Sequence, residues 1–357
     1  MEDMEINPEF WKGKRVIITG HTGFKGGWLA LWLYKMGAKI GGYALKPPTD
    51  PNFFYITKTF ECLTTSIIDD IRDIDALFSA VNSFQPEIIF HLAAQPLVRY
   101  SYTNPLETYA INVMGTINLL EIIRRISCVR AVVIVTSDKC YENQERIWSY
   151  RENEPLGGYD PYSSSKACAE ILTSAWRRSY LEGKGIAVAT VRAGNVIAGG
   201  DWASDRLIPD IMRAVSTGKI LHIRSPEAIR PWQHVLEPLS GYLRLAEYLV
   251  TQGCVYAEAW NFGPNNEDGR SVRYIVERFI KTYPELRCDY DKQIELHEAQ
   301  YLSLDSSKAQ TRLGWIPRWR LDKAMDKTIE WYLAWQSGKN MREISLNQIS
   351  EYEGWHD

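Results

Sequence analysis

A tyrosine and a lysine stand four residues apart in the run Tyr-Asp-Pro-Tyr-Ser-Ser-Ser-Lys at 159–166. On a helix, Tyr162 and Lys166 share one face. The ammonium of the lysine is expected to lower the pKa of the phenol, and a bound oxidised nicotinamide would add a second positive charge. Such a tyrosine can take the proton of a substrate hydroxyl while hydride leaves for the cofactor. Pairs of this kind are also common on protein surfaces, so position in the fold decides between the two interpretations.

A second polar run follows an apolar segment. The pattern Ala-Val-Val-Ile-Val-Thr-Ser predicts a buried strand over Ala131–Ser137, which ends in Ser137, Asp138 and Lys139. Ser137 could hydrogen-bond a hydroxyl undergoing oxidation, while the next two residues place an acid and a base beside it. The alternative is a turn with a surface ion pair. Placement at the end of a strand favours the functional interpretation, because ligands bind outside the carboxyl ends of parallel strands.

Three glycines, Gly20, Gly23 and Gly26, are spaced three apart in Thr-Gly-His-Thr-Gly-Phe-Lys-Gly at 19–26. They lie between a predicted strand and a predicted helix. Glycine lets the backbone turn sharply and approach a pyrophosphate, whose charge then faces the helix N-terminus. The spacing is looser than the usual Gly-x-Gly-x-x-Gly, so the motif gains its weight from the flanking elements.

An acidic residue for the ribose of NAD is expected about 20 positions further on. The region 41–45 is Gly-Gly-Tyr-Ala-Leu and carries none, while Lys46 could favour the 2′-phosphate of NADP. The residues themselves therefore leave NAD against NADP open. Asp70 and Ile71, after the third strand, could instead hold the adenine ring.

Strands and helices alternate through the first half of the chain, which predicts a parallel sheet covered on both faces. Right-handed crossovers make this an α/β doubly wound sheet of Rossmann type. We expect residues 1–195 to form a dinucleotide-binding domain. Residues 231–265 are expected to return to this domain. Residues 196–230 and 266–357 are expected to form a smaller, C-terminal substrate-binding lobe. The predicted strands are Arg15–Thr19, Ala38–Leu45, Cys62–Ile67, Glu87–Leu92, Ala131–Ser137 and Ile186–Arg192, and the predicted helices are Phe24–Met36, Asp73–Phe84, Thr108–Arg125 and Ser163–Leu181.

The composition excludes several classes of protein. With 45% hydrophobic and 24% charged residues and a net charge of −3, the 357-residue chain is typical of a globular protein without a strong field for nucleic acid or anionic lipid. Its six cysteines form no Cys-x-x-Cys and stand near no histidine at metal spacing, so we expect reduced thiols and no metal site. The acidic N-terminus lacks a signal-peptide core, and no apolar run approaches membrane length. We expect a cytoplasmic protein without a membrane partner.

Taken together, these motifs resemble the extended short-chain dehydrogenase/reductase family along nearly the whole chain. Further matching runs are Phe90 to Gln95, Asp70 to Asp73, Asn112 to Thr116, Arg192 to Asn195, Asn261 to Pro264 and Leu313 to Trp315. Members act mostly on nucleotide sugars. Within the family the likeness is to 4,6-dehydratases that act on CDP-glucose, a step towards deoxy sugars of lipopolysaccharide O-antigen. It is carried by His21, Lys25, Ser137 to Lys139, Gly199 to Trp202 and Arg230 to His234.

The resemblance implies roles for particular residues. Tyr162, Lys166 and Ser137 would oxidise the sugar at C4, Asp138 would protonate the leaving C6 hydroxyl, and Lys139 would remove the C5 hydrogen. Sugar dehydratases for other nucleotides typically carry glutamate at position 139, so the lysine is a departure. The implied cofactor is NAD, with NADP not excluded. Its implied contacts are Gly20, Thr22, Gly23, Phe24, Lys25, Gly26, Asp70, Ile71, Leu92, Ala93, Ala94, Tyr162 and Lys166, and the implied substrate contacts are Asn195, Arg206, Arg230 and Tyr301.

Two other functions remain open from the sequence. A nucleotide-sugar epimerase shares Tyr162 and Lys166 but needs no acid and base for elimination, and a cofactor-sensing binding protein would be expected to lose one of the pair. A dehydratase for another nucleotide sugar is also open, because no residue pattern indicates a cytosine pocket. The helices at Thr108–Arg125 and Ser163–Leu181 could form a four-helix interface, giving a homodimer or a homotetramer.

Overall fold

The computed structural model describes residues 6–290 and 301–354. Its strands, in chain order, are β1 Arg15–Thr19, β2 Lys39–Ala44, β3 Thr65–Ile68, β4 Ile88–His91, β5 Ala131–Val135, β6 Ala187–Ala193, β7 Val196–Ile197, β8 Leu221–Ile223, β9 Ile229–Pro231, β10 Gln233–His234, β11 Ala259–Phe262, β12 Gly269–Ser271 and β13 Cys288–Tyr290. Its α-helices are α1 Pro8–Trp11, α2 Phe24–Lys35, α3 Phe53–Ile56, α4 Ile74–Phe84, α5 Val98–Thr103, α6 Pro105–Tyr109, α7 Gly115–Arg125, α8 Pro161–Trp176, α9 Leu207–Thr217, α10 Leu236–Gln252, α11 Val272–Thr282, α12 Ser307–Leu313, α13 Leu321–Gln336 and α14 Met341–Glu353.

The main sheet has seven strands in the order β3-β2-β1-β4-β5-β6-β11. Every neighbouring pair in it is parallel. The order reverses between β1 and β4, and the carboxyl ends of strands at such a switch point form a crevice for ligands. The predicted doubly wound Rossmann-type sheet is confirmed.

Buried apolar residues make the central strands. Every residue of β4, β5 and β6 is buried, because helices cover both faces of the sheet. One face packs against α2, whose Trp28 to Leu33 are fully buried, and the other against α4 and α7. These layers hold the strand ends, and the polar side chains that follow them, in fixed positions.

The later half of the chain returns to this sheet. Strand β11 pairs with β6 in register Ala259 with Thr190. Helix α14 packs on α2, where Trp32 donates a hydrogen bond of 2.7 Å to Glu353. Short two-stranded pairs, β7 with β10, β8 with β13 and β9 with β12, build the remaining part. The predicted division into two lobes stays a prediction, since residues after 266 also contact the sheet helices.

Several predicted boundaries differ from the structure. The third strand begins at Thr65 rather than Cys62, because Thr59–Cys62 forms a 3₁₀ turn that buries the cysteine. The helix predicted from Ser163 begins at Pro161, where proline suits the first turn and Asp160 accepts a hydrogen bond from the Ser163 amide. The helix predicted from Thr108 begins at Pro105 and continues into α7 through a π-helical turn.

Two absences apply to residues 6–290 and 301–354. Within these ranges no helix is long and apolar enough to cross a membrane. The same ranges contain no cluster of three or more His, Cys, Asp or Glu side chains suited to hold a metal ion.

Candidate active site

A cavity of about 960 Å³ lies at the carboxyl edge of the sheet, around the switch point between β1 and β4. One wall is the glycine loop and the residues that follow the strands. The other comes from residues 195–210 and 221–230. All of the predicted site residues except Tyr301 line this cavity. Such a volume is at the upper end of the range for small-molecule sites.

The glycine loop is shaped by close backbone contacts. Gly20 has a φ of 80°, a conformation that side chains disfavour. A Cβ on Gly26 would lie 2.2 Å from the carbonyl oxygen of Gly20, and a Cβ on Gly20 would lie 2.8 Å from the amide nitrogen of Ala93. Gly23 is the N-cap of α2, and because it has no side chain, the first backbone amides of the helix receive no side-chain capping hydrogen bond. The first N–H groups of α2 therefore face the cavity, ready for an anion.

The predicted adenine end of the cavity is acidic. The Tyr43 hydroxyl donates a 2.9 Å hydrogen bond to the carbonyl of Asp70, whose carboxylate is held by Arg72. The amide of Asp69 donates to the Ala44 carbonyl, also at 2.9 Å, which places Asp69 at the end of β2. Burial raises the pKa of Tyr43, and Asp69, Asp73 and Asp70 raise it further. The acid missing from β2 in the sequence is thus replaced in space by a residue following β3.

Ser137 organises the turn after β5. As N-cap of the 3₁₀ turn Asp138–Cys140, its hydroxyl accepts a 3.2 Å hydrogen bond from the Lys139 amide and donates one of 3.0 Å to Asp138. Asp138 is only 3% exposed. Burial raises the pKa of its carboxyl, while Lys139, Ser137 and Arg230 act to lower it. Lys139 itself is half-buried and faces the cavity.

Tyr162 and Lys166 lie in the first turns of α8 and both are buried. The Lys166 ammonium donates a 3.1 Å hydrogen bond to the carbonyl of Val135, the last residue of β5. Burial lowers the pKa of Lys166 to about 8. The expectation of a lowered tyrosine pKa is wrong for this structure. Burial raises the pKa of Tyr162 to about 12, and hydrogen bonding to Ser137 and the charge of Arg206 oppose this only in part.

Further cations surround this end of the cavity. Arg206 forms a 2.9 Å ion pair with Asp201 and lies close enough to Tyr162 to affect its pKa. The ammonium of Lys25 lies 5.8 Å from the ring centre of Tyr242. Burial lowers the pKa of Lys25 to about 8, and the charges of Arg206 and Lys166 add to this effect while Asp138 opposes it. Lys25 therefore reaches from the glycine loop towards the catalytic turn.

A buried ion pair that the sequence did not reveal supports the turn from behind. Glu170 of α8 and Arg192 of β6 meet at 2.9 Å, each with a side chain 3% exposed. Glu170 also accepts hydrogen bonds from the hydroxyls of Thr136 and Thr190, and Arg192 donates to the hydroxyl of Tyr141 at 2.7 Å. These contacts fix the residues on both sides of Ser137 to Cys140. In the sequence, the only sign of this pair is one charged residue in each of two otherwise buried elements. That sign can be interpreted only when the contact between the two elements is known.

The predicted substrate contacts separate into two groups. Asn195, Arg206 and Arg230 line the cavity. Tyr301 does not join them. Its carbonyl accepts a 3.1 Å hydrogen bond from Asn143, and its hydroxyl lies 3.4 Å from that of Ser303. Tyr301 itself does not line the cavity, although its hydrogen-bond partner Asn143 and its neighbour Leu302 do.

Comparisons with known proteins agree with this geometry. The family model for GDP-mannose 4,6 dehydratase matches residues 17–328. A CDP-glucose 4,6-dehydratase from Salmonella typhimurium is 52% identical over 97% of this chain and 98% of its own length. A dTDP-glucose 4,6-dehydratase from Escherichia coli is 29% identical over 74% of this chain and 78% of its own length.

Solved structures share the fold. An epimerase from Methanothermobacter thermautotrophicus has a TM-score of 0.79 at 19% identity, covering 94% of this chain and 96% of its own. The dTDP-glucose 4,6-dehydratase from Bacillus anthracis in complex with NAD has a TM-score of 0.76 at 20% identity, covering 92% and 100%. The nucleotide-sugar class indicated by the motifs is thereby confirmed, and the chain belongs to the GDP-mannose 4,6 dehydratase family.

Proposed function

We propose that this protein is an NAD-dependent lyase that converts CDP-D-glucose into CDP-4-dehydro-6-deoxy-D-glucose and water. The observation that carries the proposal is the placement of Asp138, a buried carboxyl whose pKa is raised by burial, in one cavity with Tyr162 and Lys139. A tyrosine that starts the oxidation of a sugar hydroxyl is compatible with the activities of many related enzymes. An acid and a base beside it fit an elimination. The Salmonella relative, 52% identical over nearly the whole chain, supports the same activity.

The cavity fits a dinucleotide. Gly20 and Gly26 leave no room for side chains where the loop turns, and the uncapped amides of α2 face the space beyond it. A nicotinamide cofactor held there would supply reversible hydride acceptance, which would allow the hydrogen of sugar C4 to be moved to C6 without net oxidation. Leu92, Ala93 and Ala94 would line its nicotinamide half, and Asp70 and Ile71 would meet the adenine. The acidic surroundings of Tyr43 favour NAD, because Asp69 and its neighbours would repel the 2′-phosphate of NADP.

Tyr162 begins the reaction. Its phenolate takes the proton of the C4 hydroxyl, and Ser137 holds that hydroxyl by a hydrogen bond. The raised pKa of Tyr162 shows that burial works against this state. Positive charge is therefore required beside the phenol, and Arg206 already acts in that direction. Lys166, fixed by the Val135 carbonyl, is proposed to orient the ribose of the cofactor and to add charge.

Asp138 and Lys139 carry out the elimination. The C4 ketone acidifies the hydrogen on C5, and Lys139 acts as the base that removes that hydrogen as a proton. Asp138 gives its proton to the C6 hydroxyl, which leaves as water. A proton then returns to C5. The role requires a carboxyl that carries a proton, and burial raises the pKa of Asp138 in that direction. The positively charged Arg206 and Arg230, with Asn195, are proposed to hold the pyrophosphate of the substrate.

The test is an incubation with CDP-, UDP-, dTDP- and GDP-glucose, followed by the alkali-induced absorbance of a 4-keto sugar. Product from CDP-glucose is expected. Recovery of an epimerised sugar without a 4-keto product would establish the epimerase alternative, and no turnover of any substrate would favour a binding protein.

The helices α6 to α8 offer a surface for self-association. Leu106 is 85%, Ile171 58% and Met114 50% exposed, which is unusual for large apolar side chains on helices. We propose that these faces form a four-helix interface in a homodimer, which a homotetramer would contain twice. Light scattering of the wild type and of an Ile171→Glu variant tests this, with a monomeric variant expected. The cytoplasmic location and the role in lipopolysaccharide O-antigen synthesis remain predictions.

A further inference from the structure

Beside Arg206 the cavity is lined by charged residues that the catalytic scheme does not use. The Arg224 guanidinium lies 3.3 Å from Oδ1 of Asp205, and the Arg99 guanidinium lies 3.8 Å from the same oxygen. All three residues line the cavity. The side chains of Asp205 and Arg224 are 43% and 39% exposed, so they can meet a ligand. Both ion pairs involve Oδ1 of Asp205.

The linear shape of a nucleotide sugar decides what reaches this place. If the sugar lies at Tyr162 and the pyrophosphate at Arg206, the nucleoside must extend past Arg206 and away from the glycine loop. The walls in that direction are the first turn of α9, Leu207 to Asp210, and the end of β8 with Arg224. The base therefore lies among Asp205, Arg224 and the apolar residues of these two elements. This step depends on the proposed function.

A carboxylate is poorly suited to phosphate, but among the pyrimidines it is well suited to cytosine. Cytosine presents an amino group at N4, beside acceptors at N3 and O2, and a carboxylate is a natural partner for that amino group. Uracil and thymine present an acceptor, O4, at the same position. An aspartate oxygen facing O4 would bring two hydrogen-bond acceptors together. A site that accepts a hydrogen bond from the cytosine amino group therefore rejects uracil and thymine, which lack that donor, strongly.

We infer that Asp205 and Arg224 select the base of the substrate. The carboxylate of Asp205 accepts a hydrogen bond from the cytosine amino group, and the guanidinium of Arg224 donates to its N3 and O2 acceptors. Arg224 also orients Asp205 through their ion pair. The pair thus matches cytosine by attraction and excludes uracil and thymine by repulsion.

The backbone at Asp205 agrees with a functional role. Its φ is 59°, in the left-handed region that non-glycine residues seldom adopt. Strain of this kind concentrates at ligand sites, where the surrounding structure holds it. The next residue, Arg206, is the N-cap of α9, so this backbone conformation places Asp205 and Arg206 side by side along the cavity.

The experiment measures the affinities of CDP and UDP by calorimetry for the wild type, Asp205→Asn and Arg224→Gln. Asparagine tolerates the left-handed backbone, so the first variant is expected to fold. Its amide can donate to O4 or accept from N4 according to its rotation. We expect the wild type to prefer CDP by about tenfold or more, and Asp205→Asn to bind the two within about threefold of each other. The Arg224→Gln variant should likewise show a smaller preference for CDP over UDP than the wild type.

The matched control is Asp326→Asn, which breaks the Arg278–Asp326 pair, of similar exposure and outside the cavity. It should keep the CDP preference of the wild type. A wild type without preference, or an Asp205→Asn variant whose preference is unchanged or whose affinity falls equally for both nucleotides, overturns the inference. Assays of the wild type with CDP-glucose and UDP-glucose separate the two proposals. Absence of a 4-keto product contradicts the proposed function, while the binding ratios still decide the role of Asp205.

Discussion

Glu170 and Arg192 form a completely buried ion pair, 2.9 Å long, directly behind the turn that carries Ser137, Asp138 and Lys139. The pair belongs to two different elements, α8 and β6, and reaches the turn through Thr136 on one side and Tyr141 on the other. We therefore expect the geometry of this turn to depend on a buried ion pair that does not line the cavity.

Loss of one partner should destabilise the whole domain. Glu170→Gln leaves Arg192 buried without its counter-charge, which typically costs about 3–5 kcal/mol. Urea unfolding should show that decrease. The control is Glu121→Gln, whose partners Arg124 and Arg125 are on the surface, and its effect should stay below about 1 kcal/mol. Equal effects of the two variants would contradict a structural role for the buried pair.

The glycine loop predicts a second result. A methyl group at position 26 would meet the Gly20 carbonyl at 2.2 Å, so Gly26→Ala must displace the loop. Overpacking costs about 1–3 kcal/mol, which corresponds to roughly tenfold or more in the affinity for NAD. Equilibrium binding of NAD measures it. Gly183→Ala meets nothing within 4 Å and should bind normally. Unchanged affinity of Gly26→Ala would show that the cofactor does not depend on this loop.

The elimination step should fail without stopping the first oxidation. Asp138→Asn removes the acid and Lys139→Met removes the base, and each is expected to slow formation of the 6-deoxy product by about 10²–10⁴-fold. The sugar oxidised at C4 but still carrying its C6 hydroxyl should then be trapped by borodeuteride reduction after quenching. Lys184→Met, an exposed lysine, is the control. Near-normal turnover of Lys139→Met would remove Lys139 from the scheme.

Glu237 predicts a pH dependence of stability. This carboxyl is fully buried between the amides of Arg318 and Trp319 and the hydroxyl of Tyr352, and burial raises its pKa to about 7. The folded state therefore holds more protons than the unfolded state, whose carboxyl has an ordinary pKa of 4.5. The contribution of Glu237 to the free energy of unfolding is therefore fully present below pH 4.5 and is lost as the pH rises through about 7.

Glu237→Gln removes this titration. Between pH 5 and pH 8, unfolding free energies of the wild type should fall relative to the variant by on the order of 2 kcal/mol. Glu121→Gln should show no comparable slope in this range, because arginines lower the pKa of that carboxyl to about 2. A wild type that gains stability relative to Glu237→Gln over the same range would contradict the shift.

The sequence predicted the parts of the molecule that depend on local patterns. Apolar runs indicated where the strands lie along the chain. Tyr162 and Ser137 were expected close together because both come at the carboxyl edge of the predicted sheet. Effects that depend on burial were not accessible. The pKa of Tyr162 rises because α8 is enclosed, and no spacing of residues indicates that.

Long-range placement accounts for the remaining differences. Asp69 approaches the end of β2 only because β3 lies beside β2 in the sheet. Asp205 meets Arg224 because α9 and β8 share one wall. Tyr301, which was expected at the substrate, does not line the cavity but bonds to Asn143, which does. Each of these relationships joins residues far apart in the chain or in neighbouring elements whose packing the sequence does not specify.

The central claim is that oxidation at C4, elimination of water and reduction at C6 occur on one substrate in one cavity. The direct test is turnover of CDP-glucose labelled with deuterium at C4 in ordinary water, with the reverse experiment in deuterated water, followed by NMR of the product. The account predicts that the C4 label moves to C6 and that the C5 hydrogen comes from solvent. Loss of the C4 label to water, or a C5 hydrogen retained from the substrate, would contradict it.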